Sequence, residues 1–349
     1  MKRAILIIAG IILACHSFGQ MSQTDVENYK KEKTAKKLYN ESIDKYDIED
    51  YNGAIEKLNE ALSYKTDFAQ ALLQRGKIKY KINDIGGSLN DISRAIDYDA
   101  GFGEAYFNRG FVKFNTDTQS VNIDDFNKAV QFGYTEPQVY YYRALVKAMR
   151  KDYSGAVFDF SLAIEKMPNY AKAYHDRGSA KVMINDFQGA VYDYRLAVNY
   201  NPEFVTAYNN MGTAKKQIGD YQGAINDYSV AVNLDNSYYI ALNNRGCAKY
   251  ILTDYEGAKQ DFETALTLNE DYIYAICNLG NVAAKSGDYK KAEEYFNQVL
   301  EKNPNYGIAY LNRGLVKELE GDLEGACEDW EKALSLGVEA ATAYVGECK

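Results

Sequence analysis

The stretch VTAYNNMGTAKKQIGDYQGAINDYSVAVNLDNSY (residues 205–238) decides the fold, because the next 34 residues, YIALNNRGCAKYILTDYEGAKQDFETALTLNEDY (239–272), repeat its plan. Gly212 returns as Gly246, Asp220-Tyr221 as Asp254-Tyr255, Ala224 as Ala258, and Tyr228 as Phe262. The step runs outward in both directions. Gly76, Gly110, Gly178, Gly212, Gly246, Gly280 and Gly314 are spaced by 34 or a multiple of it, with Ala144 in the one gap.

Let nine repeats begin at 35, 69, 103, 137, 171, 205, 239, 273 and 307. Position 4 is then large and apolar (Leu38, Leu72, Tyr106, Tyr140, Tyr174, Tyr208, Leu242, Ile276, Tyr310), and position 20 is mostly Ala. Position 24 is Leu58, Ile92, Phe126, Phe160, Tyr194, Tyr228, Phe262, Phe296 and Trp330. Positions 4, 8 and 11 share one face of a first helix, A; positions 20, 24 and 27 share one face of a second, B. Small residues at 8 and 20 let the backbones approach, and the large ones at 4 and 24 fill the space beside them. Asp with Tyr or Phe at positions 16–17 turns the chain between helices. Pro168, Pro202 and Pro304 at position 32 close helix B. One such hairpin cannot bury both faces, so the hairpins must stack. Repeat 3 departs most, with Asn122 at position 20 and Thr116 to Ser120 between its helices.

Period and pattern together resemble the tetratricopeptide repeat. The resemblance implies an all-α, right-handed superhelical solenoid of nine helix-turn-helix repeats: 35–68, 69–102, 103–136, 137–170, 171–204, 205–238, 239–272, 273–306 and 307–340. A polar lead-in (20–34) precedes them, with Thr24 as an expected helix N-cap. A short capping helix, 341–349, follows. No stretch is left over for a catalytic domain.

Residues 1–19 read as an export signal: Lys2 and Arg3, an apolar run from Ala4 to Ala14 too short to span a bilayer, and cleavage between Gly19 and Gln20. A competing reading makes Cys15 a lipidated N-terminus. Either way the expected location is periplasmic or secreted, within the cell envelope, or less readily outer-membrane lipoprotein. No other apolar stretch is long enough to cross a membrane. The net charge of −9 argues against nucleic acid as a partner, since little would neutralise phosphate. His16 and His175 are the two histidines, which excludes a multi-His metal centre. Gly-rich phosphate loops and nucleophile elbows do not occur. No cofactor or metal, and no enzymatic activity, is expected.

Three sets of residues remain. Position 7 is often Arg, position 11 Lys and position 23 Asp. Repeat 3 carries Arg109, Lys113 and Asp125; repeat 5 carries Arg177, Lys181 and Asp193; repeat 7 carries Arg245, Lys249 and Asp261. Repeat 8 loses all three together as Leu279, Ala283 and Tyr295. Charges that come and go together suggest partly buried ion pairs that set register, the alternative being a basic stripe that grips acidic partners. Asn recurs at position 6: Asn40, Asn108, Asn210, Asn244, Asn278 and Asn312. In the family this position lies on the concave side, so the resemblance implies a row of amides able to hold a peptide backbone. The bland alternative is that Asn is merely common there. His175 falls on the same face. Phe107, Phe111, Tyr141 and Tyr142 of repeats 3 and 4 are either anchor pockets or packing between helices. Four cysteines follow the expected cleavage point; Cys327 and Cys348 are placed to bond across the C-terminal end, whereas Cys247 and Cys277, on adjacent A helices, sit too far apart.

The expected function is a non-enzymatic scaffold or adaptor that binds a protein or peptide segment in the concave groove, one form being an adaptor that docks an envelope enzyme. The rival is a binder of glycan or another small molecule in the aromatic pocket of repeats 3 and 4.

Overall fold

A computed structural model describes residues 22–117, 122–346 and 348. The expected signal, the Gly19–Gln20 cleavage point and Cys15 lie outside the described residues. The described residues are all-α, with nineteen α-helices and no strand. The chain divides into two compact bodies, Met1–Val146 and Lys147–Lys349. The first holds repeats 1 to 3 and most of helix A of repeat 4 (Pro137–Met149); the second runs from helix B of repeat 4 (Tyr153–Lys166) to the C-terminal cap.

Repeat 6 shows the local logic. Helix A (Val205–Gln217) ends at Ile218, and Gly219 takes a left-handed φ of 82°. Asp220 then caps helix B (Tyr221–Leu234), its carboxylate accepting from the Gly223 amide at 2.9 Å. The cap recurs at Asp50, Asp84, Asp152, Asp186, Asp254, Asp288 and Asp322. The residue before the cap is left-handed throughout this series. Gly serves in repeats 6, 8 and 9, whereas Glu49, Asn83, Lys151, Asn185 and Thr253 carry side chains into that region.

The glycine at position 8 lies against the ring at position 24. A Cβ on Gly246 would stand 2.6 Å from Phe262, and one on Gly280 2.6 Å from Phe296. Those rings are themselves fully buried, as are the position-20 and position-27 alanines around them. Ring and glycine thus interlock, which is why size alternates across the hairpin.

Two elements depart from expectation, and the C-terminal end carries the bond the sequence suggested. Thr24 is not the N-cap: Ser22 is, in a reciprocal capping box with Asp25, and the helix runs unbroken from Gln23 to Asp47. Residues 23–34 of the lead-in are therefore the first half of helix A of repeat 1. In repeat 3, helix B is cut to Ile123–Gln131, with Asn122 as its cap. At the other end, Tyr344 stacks on Trp330 at 5.0 Å, and Cys348 is joined to Cys327 by a disulfide. Cys247 and Cys277 are free.

Two substitutions follow with opposite sign. Gly246→Ala drives a methyl into the Phe262 ring and is expected to cost about 1–3 kcal/mol. Thr253→Gly releases a β-branched residue from the left-handed region and is expected to stabilise by about 1 kcal/mol. Urea unfolding of both variants, read by circular dichroism, checks the pair.

Candidate functional site

Two faces of the hairpin stack carry polar residues in register. The first is the joint between successive repeats. Arg177 forks onto Asp193 of its own repeat, Nη2 at 2.6 Å and Nε at 2.9 Å, while Nη1 donates to Ser161 on helix B of the repeat before. Lys181 Nζ lies 2.9 Å from the same carboxylate. Asp193 is fully buried, so one carboxylate meets two cations out of water. The expected cluster of repeat 7 forms in the same way. Arg245 Nη2 lies 2.6 Å from Asp261, Lys249 Nζ lies 2.8 Å from the other oxygen of that carboxylate, and Arg245 Nη1 reaches Ser229. Asp261 is buried like Asp193, and Lys249 also donates to the Gly257 carbonyl, in the first turn of helix B.

Repeats 2 and 9 carry the cluster too. Arg75 and Lys79 hold Asp91, with Arg75 reaching Asn59. Arg313 and Lys317 hold Asp329, with Arg313 reaching Asn297. In repeat 3 Arg109 holds Asp125 at 2.6 Å, and Lys113 stands farther off at 3.5 Å. The guanidinium also lies over the position-4 ring, as Arg177 does over Tyr174.

Three repeats vary the theme. Repeat 1 reverses the charges, with Glu41 at position 7 and Lys57 at position 23, 3.3 Å apart. Repeat 6 has Met211 in place of arginine; Asp227 pairs with Lys215 at 2.7 Å, and Arg195 of repeat 5 acts on it only through its charge. The difference shows in the carboxyls. At Asp91 burial opposes ionisation, but Arg75 and Lys79 together outweigh it and hold the group below its usual value. At Asp227 burial dominates, Lys215 does not cancel it, and the group is pushed up. Repeat 8 has none of the three charges.

The second face is the row at positions 5, 6 and 9 of the A helices in the second body. Asn210 Nδ2 lies 3.1 Å from His175 Nε2; Asn244 donates to Asn209 at 3.0 Å, Asn278 to Asn243 at 2.9 Å, and Asn312 to Asn281 at 2.9 Å. Each position-6 amide therefore reaches back to the preceding repeat. Asn209 and Asn243 are buried, whereas the four position-6 residues are half-exposed. The Oδ1 of Asn210 accepts from Asn209. Those of Asn244, Asn278 and Asn312 accept from no donor among the described residues. Asn108, in the first body, bonds only the Glu104 carbonyl of its own helix and takes no part in the row.

His175 belongs to this row. Its Nδ1 lies 2.8 Å from Asp176, and its ring packs on Phe204 at 4.7 Å. Nδ1 is engaged within its own helix and Nε2 with the A helix of the next repeat. The free thiols are equally unsuited to chemistry: burial pushes Cys277 up to about 12 and raises Cys247 too, so neither is a thiolate at neutral pH.

Of the two readings of the aromatic residues in repeats 3 and 4, packing holds for Phe107 and Tyr141, which are buried, while Phe111 and Tyr142 are half-buried. Phe107 stacks on Tyr134 at 5.0 Å, and the Tyr142 ring meets Phe111 at 5.1 Å and Phe114 at 5.3 Å edge-on. Burial raises Tyr142 and takes Tyr134 to about 12, as expected of phenols drawn into packing.

Open volume lies instead beside the asparagine row. A cavity of about 210 Å³ is lined by Cys247, Tyr250, Ile251, Phe262, Asn278 and Asn281. A neighbouring one of about 390 Å³ includes Tyr250, Asn281, Asn312, Leu315 and Leu319. Sequence reasoning singled out neither Tyr250 nor Leu319. Both fall at positions 12 and 13, among those the resemblance assigns to the ligand-facing side, and that was the signal available.

The tetratricopeptide-repeat family models match residues 205–238, 239–272 and 273–306. No curated protein sequence matches the chain. Among solved structures, the C-terminal part of a tetratricopeptide repeat-containing protein from Cytophaga hutchinsonii is 18% identical, covers 68% of this chain and 98% of its own, and superposes with a TM-score of 0.55. The APC/C hetero-tetramer Cut9-Hcn1 gives 17% identity, 84% and 59% coverage, and 0.56. YrrB, described as a TPR protein with an unusual peptide-binding site, gives 22%, 54%, 97% and 0.43. At these identities the first two show a shared fold.

The joint yields a paired prediction. Asp193→Ala strands Arg177 and Lys181 in a buried slot and is expected to cost about 3 kcal/mol at pH 7. Asp227→Asn behaves differently. Folding raises the Asp227 pKa, so its ionised form is disfavoured in the folded state. Stability is therefore present while the group is protonated, and is lost as pH rises from the ordinary value of 3.8 through the folded one. The melting temperature of Asp227→Asn relative to the parent should accordingly improve between pH 4 and pH 7. A parallel pair of pH series by calorimetry checks the sign.

Proposed function

We propose that this chain, a multi-repeat protein of the tetratricopeptide family, is a non-enzymatic scaffold that holds an extended segment of another protein against the A helices of repeats 6 to 9. One observation carries the reading. The Oδ1 atoms of Asn244, Asn278 and Asn312 are acceptors with no donor among the described residues, on half-buried side chains in consecutive repeats, held in place by the bond each Nδ2 makes to the repeat before. A peptide's amide hydrogens are what such a row accepts. The apolar walls supplied by Tyr250, Ile251, Leu315 and Leu319 would take alternate side chains. Backbone recognition of this kind demands little of the partner's sequence, which suits an adaptor. The first nineteen residues support a place in the cell envelope.

The test compares the parent chain with Asn244→Ala/Asn278→Ala/Asn312→Ala and, separately, with Leu319→Glu, which leaves the amide row intact. Both variants are first shown to be helical and cooperative by circular dichroism. A partner captured from envelope extract by the parent should bind each at least about tenfold more weakly, three lost hydrogen bonds being worth roughly 1 kcal/mol apiece. A partner that binds all three chains alike refutes the groove. Export is tested by fractionation and N-terminal sequencing: the secreted form should begin at Gln20, whereas detergent partitioning that a Cys15→Ser variant loses would assign the lipid anchor.

A further inference from the structure

Repeat 8 breaks the joint, and the break leaves a space. In repeats 2, 5, 7 and 9 the arginine of position 7 fills the slot between its own Asp and the position-25 side chain of the preceding helix B: Asn59, Ser161, Ser229 or Asn297. In repeat 8 the corresponding residues are Leu279, Ala283 and Tyr295, and the residue waiting at position 25 of repeat 7 is Glu263. These four line one cavity of about 420 Å³. Leu279 has no cation to offer Glu263. Among the described residues the carboxylate pairs with Lys259 at 3.9 Å, on the same exposed helix face, a contact worth little. Glu256 stands on the same rim. The rim's other cation, Lys291, is occupied: its Nζ pairs with Glu294 at 2.9 Å and lies over the Tyr295 ring.

We propose that this cavity is a second docking site and that it takes a basic segment of a partner protein, supplying in trans the arginine that the other repeats supply in cis. The aliphatic stem of the incoming arginine lies on Ala283 and Tyr295, above the buried Leu279, and its guanidinium meets Glu263 and Glu256 at the rim. The commitment to a cation rests on charge complementarity. The slot is built around a guanidinium everywhere else that it is fully formed, the two rim carboxylates lack a close partner, and the chain as a whole carries −9. The site uses positions 7, 11, 23 and 25, whereas the asparagine row uses 5, 6 and 9. It is therefore independent of the groove, and one partner could be held at both, or two partners at once.

The experiment uses the full chain and a fluorescein-labelled peptide, Gly-Ser-Leu-Arg-Arg-Leu-Ser-Gly, with glutamate and glutamine replacing both arginines as controls, read by anisotropy at about 150 mM salt. Two variants locate the site. Leu279→Arg/Ala283→Lys/Tyr295→Asp rebuilds the ion cluster and fills the cavity; Glu256→Gln/Glu263→Gln leaves the cavity open and removes its charge. The arginine peptide should saturate the parent, bind the glutamine pair about tenfold more weakly, and bind the rebuilt chain more weakly still, while the rebuilt chain melts no lower than the parent. The Asn244→Ala/Asn278→Ala/Asn312→Ala chain should bind it as the parent does. Equal binding by parent, rebuilt chain and glutamine pair marks non-specific attraction to an acidic protein and overturns the proposal. So does equal binding of the glutamine peptide, which would mark an apolar occupant, and so does failure to saturate below about 1 mM.

Discussion

In repeats 2, 5, 7 and 9 one guanidinium at the joint touches three helices. The arginine of position 7 rises from helix A, forks onto the aspartate of its own helix B, and reaches the serine or asparagine of the preceding helix B. Hydrophobic contact alone would let two hairpins slide, because alanine-lined faces are alike from turn to turn. A planar fork with fixed donors cannot slide without breaking buried hydrogen bonds. The cluster therefore sets the offset between repeats, and the placement of every groove residue follows from that offset. A buried ion pair is weak evidence for added stability, so register is the better account of what this one contributes.

The asparagine row is the same device on another face. Each position-6 amide reaches back to position 5 or 9 of the repeat before, so adjacent A helices are tied at the groove as well as at the joint. What is left over from that tie, a carboxamide oxygen, is what a passing peptide could use. In the proposed function, binding would draw on what structural bonding leaves over: the Nδ2 half of the amide ties adjacent helices, and the Oδ1 half is spaced by that tie.

The variations are informative because the repeats act as controls for one another. Glu41 and Lys57 exchange signs yet still meet, so the pair survives a reversal of polarity. Asp261 keeps both of its cations, Arg245 and Lys249, whereas Asp227 one repeat earlier pairs with Lys215 and lacks the arginine fork. Asp227 shows the effect of losing that fork, its carboxyl displaced upward by burial that Lys215 does not offset. Repeat 8 takes the other course and discards the charges altogether. Its neighbours Leu279 and Val282 pack into the adjoining core, and an open slot remains where the cluster would have been.

The sequence by itself determined the all-α hairpin plan, since a 34-residue step in glycine, alanine and ring positions has one helical interpretation. It also determined that Arg, Lys and Asp belong to one cluster, because they vanish together in repeat 8. What it could not decide was direction. Phe107 and Tyr142 look alike as letters, and whether a ring faces solvent or another ring depends on the helix packed opposite it. Likewise Asn210 and Asn108 occupy the same position, yet one bonds the preceding repeat and the other its own backbone. That choice turns on His175, a residue 35 places away. Only the tertiary structure brings such residues within hydrogen-bond reach. Periodicity places a residue on a face of its own helix, whereas the partner of that face comes from the neighbouring hairpin.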